Sequence, residues 1–150
     1  MNQSEVKDLL GKMDALIEEE GVSSVSSEAI MQDPIVTNRL AVELLQQLDR
    51  DTKFDAVVTL SGTESYFGYS VALAAWVRFV PASINEGAAT LLAPLSKKEK
   101  VLVVLDSCNE EAAKALLGAV SDQGSKAISV LSLCAQGVTE VEGLPVLSLL

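Results

Sequence analysis

An acidic side chain stands directly after a strongly apolar run, a position at which α/β proteins commonly bind ligands. Residues 101–105 read Val-Leu-Val-Val-Leu, and Asp106 follows them. Five apolar residues without polar alternation predict a strand that is covered on both faces, as in parallel sheets. Asp106 would then lie at the carboxyl end of that strand, where it can contact a ligand or hydrogen-bond its own turn. We therefore expect a ligand site around this residue.

The turn after Asp106 leads into a helix whose first residues are acidic. Asn109 is a favourable N-cap residue, and Glu110 and Glu111 would occupy the first helical turn. Carboxylates there stabilise a helix by about 0.3 to 1 kcal/mol each through its dipole, so their role can be structural. The helix is amphipathic, and its predicted buried face consists of Ala112, Ala113, Ala115, Leu116, Leu117, Ala119 and Val120.

A second strand, loop and helix precede this unit. Residues 55–60 predict a buried strand, residues 61–64 form the loop that follows, and an alanine-rich helix extends through Trp76. A further buried strand is predicted at residues 127–133. Because strands alternate with helices, the pattern indicates a layered α/β domain.

The strand end and loop at residues 105–113 resemble the signature of the type I phosphoribosyltransferases. In that family, two acidic residues end a strand and contact the ribose hydroxyls of phosphoribosyl pyrophosphate. A Thr/Gly-rich loop then binds the 5′-phosphate. Here Leu105 and Asp106 stand at the acidic pair, and residues 109–113 read Asn-Glu-Glu-Ala-Ala where the family reads roughly Thr-Thr-Gly-Gly-Thr.

The loop that begins at residue 61 resembles the pyrophosphate loop of the same family. Gly68 matches the glycine that the family places in the following helix, whereas Thr63 and Glu64 stand where the family has a Gly-Gly pair. The resemblance covers residues 54–150. Within it, residues 85–100 take the place of the flexible hood that closes over the reaction.

Length and resemblance together imply one domain over residues 1–150, with a helical segment at residues 1–50 and an α/β core at residues 54–150. The implied fold class is α/β with three layers: a mostly parallel central sheet flanked by helices, with the N-terminal helices packed on the sheet. By resemblance, Asp106 is the catalytic residue and, if the protein is active, a Mg²⁺ ligand. The residues implied to bind substrate are Ser61, Gly62, Thr63, Glu64, Ser107, Cys108, Asn109, Glu110, Glu111, Ala112 and Ala113. The family also implies a homodimer and a nucleotide or phosphoribosyl ligand.

Acidic residues at the phosphate-binding positions favour a protein that keeps the fold without the usual substrate. A helix N-terminus attracts phosphate through its free amides and dipole, but each close carboxylate would oppose binding by about 1 to 4 kcal/mol. We therefore expect a non-catalytic protein with a binding or regulatory role. Two alternatives stay open: an active phosphoribosyltransferase for an unusual base or nucleotide, with carboxylates holding Mg²⁺, and a homodimer whose site binds nothing.

Charge and composition argue against several partners and chemistries. The net charge is -10. A nucleic acid or an anionic membrane would need a basic face, which 11 Lys and Arg against 21 Asp and Glu do not readily supply. The chain has no histidine, which excludes most Ser-His-Asp, Cys-His and His-metal sites. The sequence shows no secretory signal pattern and no apolar run of about 20 residues, so we expect a cytoplasmic protein.

The first 50 residues follow a helical pattern. Apolar residues recur at helical spacing up to Ile17 and predict one amphipathic helix, which Gly21 would end. After a serine-rich connector, Asp33 and Pro34 mark the start of a second helix. Its apolar stripe consists of Ile35, Val36, Leu40, Leu44, Leu45 and Leu48. The two helices could instead resemble a DNA-binding helix-turn-helix, but the acidic run at residues 18–20 argues against that.

Several other side chains each have two interpretations. Three aromatic residues, Tyr66, Phe67 and Trp76, follow the loop at residues 61–64 and could stack on a base. Aromatic residues near helix starts more often pack in the core. Cys108 is expected to be a small buried core residue, because the neighbouring acids oppose a thiolate. Arg78 could pair with a phosphate or with an acid.

Overall fold

A computed structural model describes all residues from Met1 to Leu150. The strands are β1 (Leu16–Glu19), β2 (Val22–Val25), β3 (Ala56–Leu60), β4 (Arg78–Asn85), β5 (Ala88–Leu91), β6 (Lys100–Ser107), β7 (Lys126–Cys134), β8 (Glu140–Val141) and β9 (Leu144–Ser148). The helices are α1 (Gln3–Lys12), α2 (Ser27–Met31), α3 (Pro34–Leu45), α4 (Ser65–Ala75) and α5 (Glu110–Asp122). No helix is long and apolar enough to cross a membrane.

Seven strands form one sheet, in the order β5-β4-β3-β6-β7-β9-β8. The five central strands run parallel, and only the edge strands β5 and β8 pair antiparallel to their neighbours. Strands β1 and β2 form a separate antiparallel hairpin. The mostly parallel α/β sheet that the sequence predicts is therefore confirmed.

The central strand β6 shows how the layers arise. Leu102 and Val104 join a core cluster with residues of α1, α3 and α4, whereas Val101, Val103 and Leu105 join a second cluster with residues of α5. Because successive strand residues point to opposite faces, an uninterrupted apolar run buries both faces of the sheet. Helices thus cover the sheet on each side and give the three layers expected.

The N-terminal segment differs from the helical prediction. Helix α1 ends at Lys12, and Leu16 and Ile17 lie in strand β1 instead of continuing the helix. Asp14 has a left-handed φ of 54°, which ends the helix, and Glu20 and Gly21 form a two-residue hairpin turn with φ of 51° and 79°. Positive φ at both turn residues matches the twist of a hairpin. The hairpin also separates α1 from the later helices, so this segment is not a helix-turn-helix.

Helix α3 begins as predicted, with Pro34 in its first turn and the Asp33 side chain accepting a hydrogen bond from Val36 N at 3.1 Å. The prediction that its whole apolar stripe is buried is partly wrong. Leu40 and Leu44 are fully buried, but Ile35 is 82% exposed. The connector before it contains the short helix α2, which Ser26 caps by accepting from Ala29 N.

The segment expected to replace the hood is partly built into the sheet. Strand β5 pairs with β4 through a second two-residue turn, at Glu86 and Gly87, with φ of 53° and 78°. Arg78, at the start of β4, contacts Glu99 near the end of this segment, with its Nη1 2.6 Å from Oε1. Of the two partners considered for Arg78, the acid is the one observed.

Candidate functional site

Both loops singled out in the sequence lie at the carboxyl end of the sheet. Strands β3 and β6 are parallel neighbours, with Ala56 paired to Val101 and Val58 paired to Val103. The loop after β3 and the turn after β6 therefore emerge at the same edge. The charge of Asp106 raises the pKa of Glu64, as expected for two loops at one edge of the sheet.

The first loop is a single 3-10 turn at Gly62–Glu64. Ser61 N donates to the Ala82 carbonyl at 2.8 Å, which ties the loop to β4, and Ser65 Oγ donates to the Gly62 carbonyl at 2.6 Å. Gly62 has a φ of 80°, a conformation that favours glycine. Thr63 is half-buried and Glu64 is exposed.

Asp106 is 7% exposed, and each of its carboxylate oxygens accepts a hydrogen bond. Its Oδ2 accepts a hydrogen bond from Ser27 Oγ, and its Oδ1 accepts from Ser107 N at 2.8 Å. Burial raises the pKa of this carboxyl, while the hydrogen bonds from Ser27 and Ser107 act in the opposite direction and the charge of Glu28 adds to the rise. The bond from Ser107 is the turn contact that the sequence left open.

Strand β2 and helix α2 cover this edge of the sheet, and we call residues 22–31 the closing segment. Val25 N donates to Ser107 Oγ at 2.9 Å, next to the bond between Ser27 and Asp106. Helix α2 also packs against the 3-10 turn at Gly62–Glu64. The sequence analysis missed Ser27 and Glu28. The pattern Ser-Ser-Glu at residues 26–28 is a helix-start signal that could have indicated α2, but not its contact with Asp106.

The carboxylates of Glu28, Glu64 and Asp106 lie within electrostatic range of one another. Partial burial raises the pKa of Glu64, and the charges of Asp106 and Glu28 raise it further. None of the ion pairs in the structure involves these three residues. The site therefore has a negative potential where the resemblance would require an anionic pyrophosphate to bind.

The start of helix α5 offers little to a phosphate. Asn109 caps it as predicted, with its Oδ1 accepting from Ala112 N at 3.0 Å, and Ala113 N donates to the Asn109 carbonyl at 2.9 Å. One of the otherwise free amides of its first turn, Ala112 N, is thus already used. Glu110 and Glu111 are exposed, and Glu110 Oε1 lies 3.6 Å from Lys114 Nζ.

The two thiols near the site are buried and unreactive. Cys108 is buried as expected, and burial followed by the charge of Glu110 raises its pKa. Burial, with the charge of Asp106, raises the pKa of Cys134 to about 12. Because the thiolate is the nucleophile and the metal ligand, neither residue is suited to either role.

The residues at this edge of the sheet do not form a metal site on their own. No group of three or more His, Cys, Asp or Glu side chains is arranged to hold a metal ion. Asp106, the implied ligand, has one oxygen engaged by Ser27 and the other by Ser107. Mg²⁺ is usually bound by one or two carboxylates together with substrate phosphates, so Asp106 would hold it only alongside a phosphorylated ligand.

The aromatic residues after the first loop differ in burial. Phe67 is buried in the core, as expected, and does not reach the site. The expectation is wrong for Trp76, which is 94% exposed at the end of α4, where it has a left-handed φ of 59°. Tyr66 is also largely exposed. Neither residue packs in the core.

The raised pKa of Asp106 predicts how the site affects stability. An acid with a higher pKa in the folded protein binds its proton more tightly there, so stability falls as pH rises above the ordinary value of 3.8. The Asp106→Asn variant is expected to be more stable than the wild type at neutral pH. Its amide can accept from Ser107 N and donate to Ser27 Oγ.

Urea denaturation across the acidic and neutral pH range measures this effect. The advantage of Asp106→Asn should shrink as pH falls toward 3.8, because the wild-type carboxyl then becomes neutral as well. The control is Asp51→Asn, since Asp51 is exposed in a turn. An advantage that is absent at neutral pH, or equal in the control, would contradict the cost assigned to the buried charge.

Comparisons with known proteins give no sequence match: no family model and no curated sequence matches the chain. Solved structures do match. Adenine phosphoribosyltransferase from Saccharomyces cerevisiae superposes with a TM-score of 0.76 and 19% identity, over 98% of this chain and 99% of that one. Orotate phosphoribosyltransferase from Aeropyrum pernix gives 0.74 and 17%, over 96% and 92%. A phosphoribosyltransferase from Corynebacterium diphtheriae gives 0.73 and 22%, over 98% and 94%.

Each similarity extends over nearly the whole length of both chains. At these low sequence identities, what it shows is a shared fold. The order of strands, the position of the two loops and the superpositions agree with the resemblance found in the sequence. The protein has the type I phosphoribosyltransferase fold.

Proposed function

We propose that this protein is a non-catalytic member of the type I phosphoribosyltransferase family with a binding or regulatory role. The observation that carries the proposal is the contact between Ser27 and Asp106. Asp106 is the acid that, by resemblance, would contact a ribose hydroxyl. In this chain a hydroxyl of the protein itself occupies that carboxylate, and the closing segment lies over it.

The charges around the site support the same conclusion. Glu64 stands in the loop that resembles the pyrophosphate loop, and Glu110 and Glu111 stand in the loop that resembles the 5′-phosphate loop. Each would oppose a phosphate group, and the net charge of -10 would slow the approach of any polyanion. The substrate-binding roles of residues 61–64 and 107–113 remain proposals.

Calorimetric titration with phosphoribosyl pyrophosphate and Mg²⁺ at near-physiological salt tests the proposal. Ribose 5-phosphate and nucleoside monophosphates serve as comparison ligands. We expect no binding at millimolar ligand, for the wild type and for Ser27→Ala alike, because removing Ser27 leaves the acidic residues in place. Micromolar, Mg²⁺-dependent binding by the wild type would contradict the proposal. Binding by Ser27→Ala alone would show that the closing segment, and not the charge, blocks the site.

The alternative is an active phosphoribosyltransferase that acts on an unusual base or nucleotide. It is supported by superposition with enzymes over nearly the whole chain, one of them a complex with adenine. Ser27 would have to leave Asp106, which would then orient the ribose, and Mg²⁺ would be the cofactor. Pyrophosphate release with any of a panel of bases would support this alternative, provided that Asp106→Asn abolishes release and Asp51→Asn does not.

The remaining expectations form part of the same proposal. We propose one domain over residues 1–150, a homodimer, and a cytoplasmic location. The acidic charge gives no reason to expect a nucleic acid or a membrane as partner. A nucleotide or phosphoribosyl compound remains the class of small ligand to test, as the titration above does.

A further inference from the structure

The two edges of the main sheet differ in how they are protected against pairing with another chain. Strand β8, at one edge, has only two residues, and one of them is Glu140. Strand β5, at the other edge, reads Ala-Ala-Thr-Leu, and residues 88–95 contain no charged side chain. Proteins usually protect a sheet edge by making it very short or by placing charges on it. The β5 edge lacks the charges, and we call its free side the open edge.

The register of β5 shows which backbone groups lie on the open edge. Because the turn between β4 and β5 has two residues, the residues that flank it form a hydrogen-bonded pair. Such pairs alternate along an antiparallel ladder, and the bond of 2.9 Å from Leu92 N to the Pro81 carbonyl fits this alternation. The N–H and C=O groups of Ala89 and Leu91 therefore point away from β4. No strand lies beyond β5 in the sheet, so an added strand can pair with these groups.

A groove of about 500 Å³ lies beside the open edge, between β5 and helix α5. Its lining residues are Gly87, Ala88, Ala89, Glu111, Lys114, Ala115, Gly118, Ala119 and Asp122. Apart from the three charged residues, the lining consists of glycine and alanine. A Cβ on Gly118 would meet no atom within 4 Å. The groove therefore has room for the side chains of a strand that pairs with β5.

The charged residues of the groove indicate what kind of strand fits it. Glu111 and Asp122 lie at the two ends of its helical side and take part in no ion pair. Lys114, between them, is already paired with Glu110 at 3.6 Å. On α5 the two carboxylates are about 16 Å apart along the helix axis, a distance that an extended segment of about six residues spans. A segment with a basic residue at each end would therefore place both cations near carboxylates.

A second copy of this chain fits the open edge less well than a basic partner does. Two copies paired through β5 would bring two grooves together, each with the carboxylates of Glu111 and Asp122. Each chain also carries a net charge of -10. These like charges oppose self-association, whereas the same field attracts a positively charged segment.

We propose that the open edge binds an extended, basic segment of another protein, which adds a strand to the sheet and places its side chains in the groove against α5. Backbone hydrogen bonds to Ala89 and Leu91 supply affinity for any strand. The groove selects uncharged residues flanked by Lys or Arg. This inference goes beyond the proposed function and does not depend on it, because strands β4 and β3 separate β5 from the strand that carries Asp106.

A fluorescently labelled peptide with the sequence Lys-Thr-Val-Thr-Val-Thr-Lys is the probe. Side chains alternate along a strand, so its two lysines and two valines share one face, which would lie in the groove. Its fluorescence anisotropy should rise with added protein, with a dissociation constant of about 100 µM or below at low salt. The comparison peptide has Glu in place of both Lys residues. No binding of the lysine peptide at millimolar protein, or equal binding of the two peptides, would overturn the proposal.

Two variants locate the binding surface. Gly118→Leu fills the groove and should weaken peptide binding at least about 10-fold, whereas Ser121→Leu, exposed on the same helix outside the groove, should not. Ala89→Pro removes an N–H that points away from β4, so it should keep the fold and also weaken binding about 10-fold. Binding that survives both variants, or is lost in Ser121→Leu, would overturn the assignment. A dimer of the wild type that Ala89→Pro abolishes would also overturn it, because a second copy would then occupy the edge.

Discussion

Replacing Gly68 by alanine is expected to lower the free energy of unfolding by about 1 to 3 kcal/mol, although alanine is the better helix former. A Cβ at this position would lie 2.7 Å from Thr59 Cγ2 and 2.8 Å from Thr59 Cβ. Thr59 is fully buried, and its Oγ1 donates to the Val104 carbonyl at 2.6 Å. The threonine cannot rotate away without losing that bond, so helix α4 would have to move off strand β3.

A matched variant separates this contact from helix propensity. Gly118 lies within helix α5, and a Cβ there would have no neighbour within 4 Å. Gly118→Ala should therefore raise the free energy of unfolding by about 0.5 to 1 kcal/mol. Urea denaturation with unchanged m-values measures both variants. Equal stability of the two would contradict the close packing of α4 on β3, and with it the role of Gly68 in holding the first loop at the sheet edge.

The sheet could be predicted because its signals are local. The apolar run at residues 101–105 needs no partner to indicate a strand buried on both faces, and Asn109 indicates the start of α5 by its own chemistry. Even Gly68 could be matched by its spacing from the loop. Each of these features depends on a few neighbouring residues, and each is found in the structure.

The prediction for the N-terminal segment was wrong for the opposite reason. Leu16 and Ile17 continue the helical spacing of α1, and only the left-handed conformation of Asp14 separates them from it. Aspartate adopts this conformation more often than most non-glycine residues, but still so rarely that its presence alone does not predict it. A usable signal was present nearby: the dipeptide Glu-Gly occurs at residues 20–21, 86–87 and 142–143, and forms the same two-residue turn each time.

The candidate site was predicted in position but not in content. Asp106 could be placed at a strand end from the sequence, whereas its partner Ser27 lies 79 residues away along the chain. No spacing rule connects residues that far apart. Trp76 failed similarly, because its burial depends on which surfaces the fold covers and this one it leaves open.

Removing the Ser27 hydroxyl is expected to lower the free energy of unfolding by about 1.5 to 3 kcal/mol at neutral pH, the usual range for a hydrogen bond to a charged group. The Ser27→Ala variant would leave Oδ2 of a buried carboxylate without its donor. In the Asp106→Asn background, the same change should cost only about 0.5 to 1.5 kcal/mol, because the partner is then neutral. A double-mutant cycle by urea denaturation measures the difference.

The cycle shows whether the closing segment holds the site shut in solution. The control is Ser23→Ala, since Ser23 also lies in the closing segment and its hydroxyl is 3.4 Å from the exposed Glu18 carboxylate. Its cost should stay within about 0.5 kcal/mol. Because the bond from Ser27 lowers the pKa of Asp106, Ser27→Ala should also raise that pKa, and the cost of the variant should therefore shrink as pH falls and Asp106 becomes protonated. Equal costs of Ser27→Ala in both backgrounds would mean that the segment is open in solution, and that Asp106 is accessible to a ligand after all.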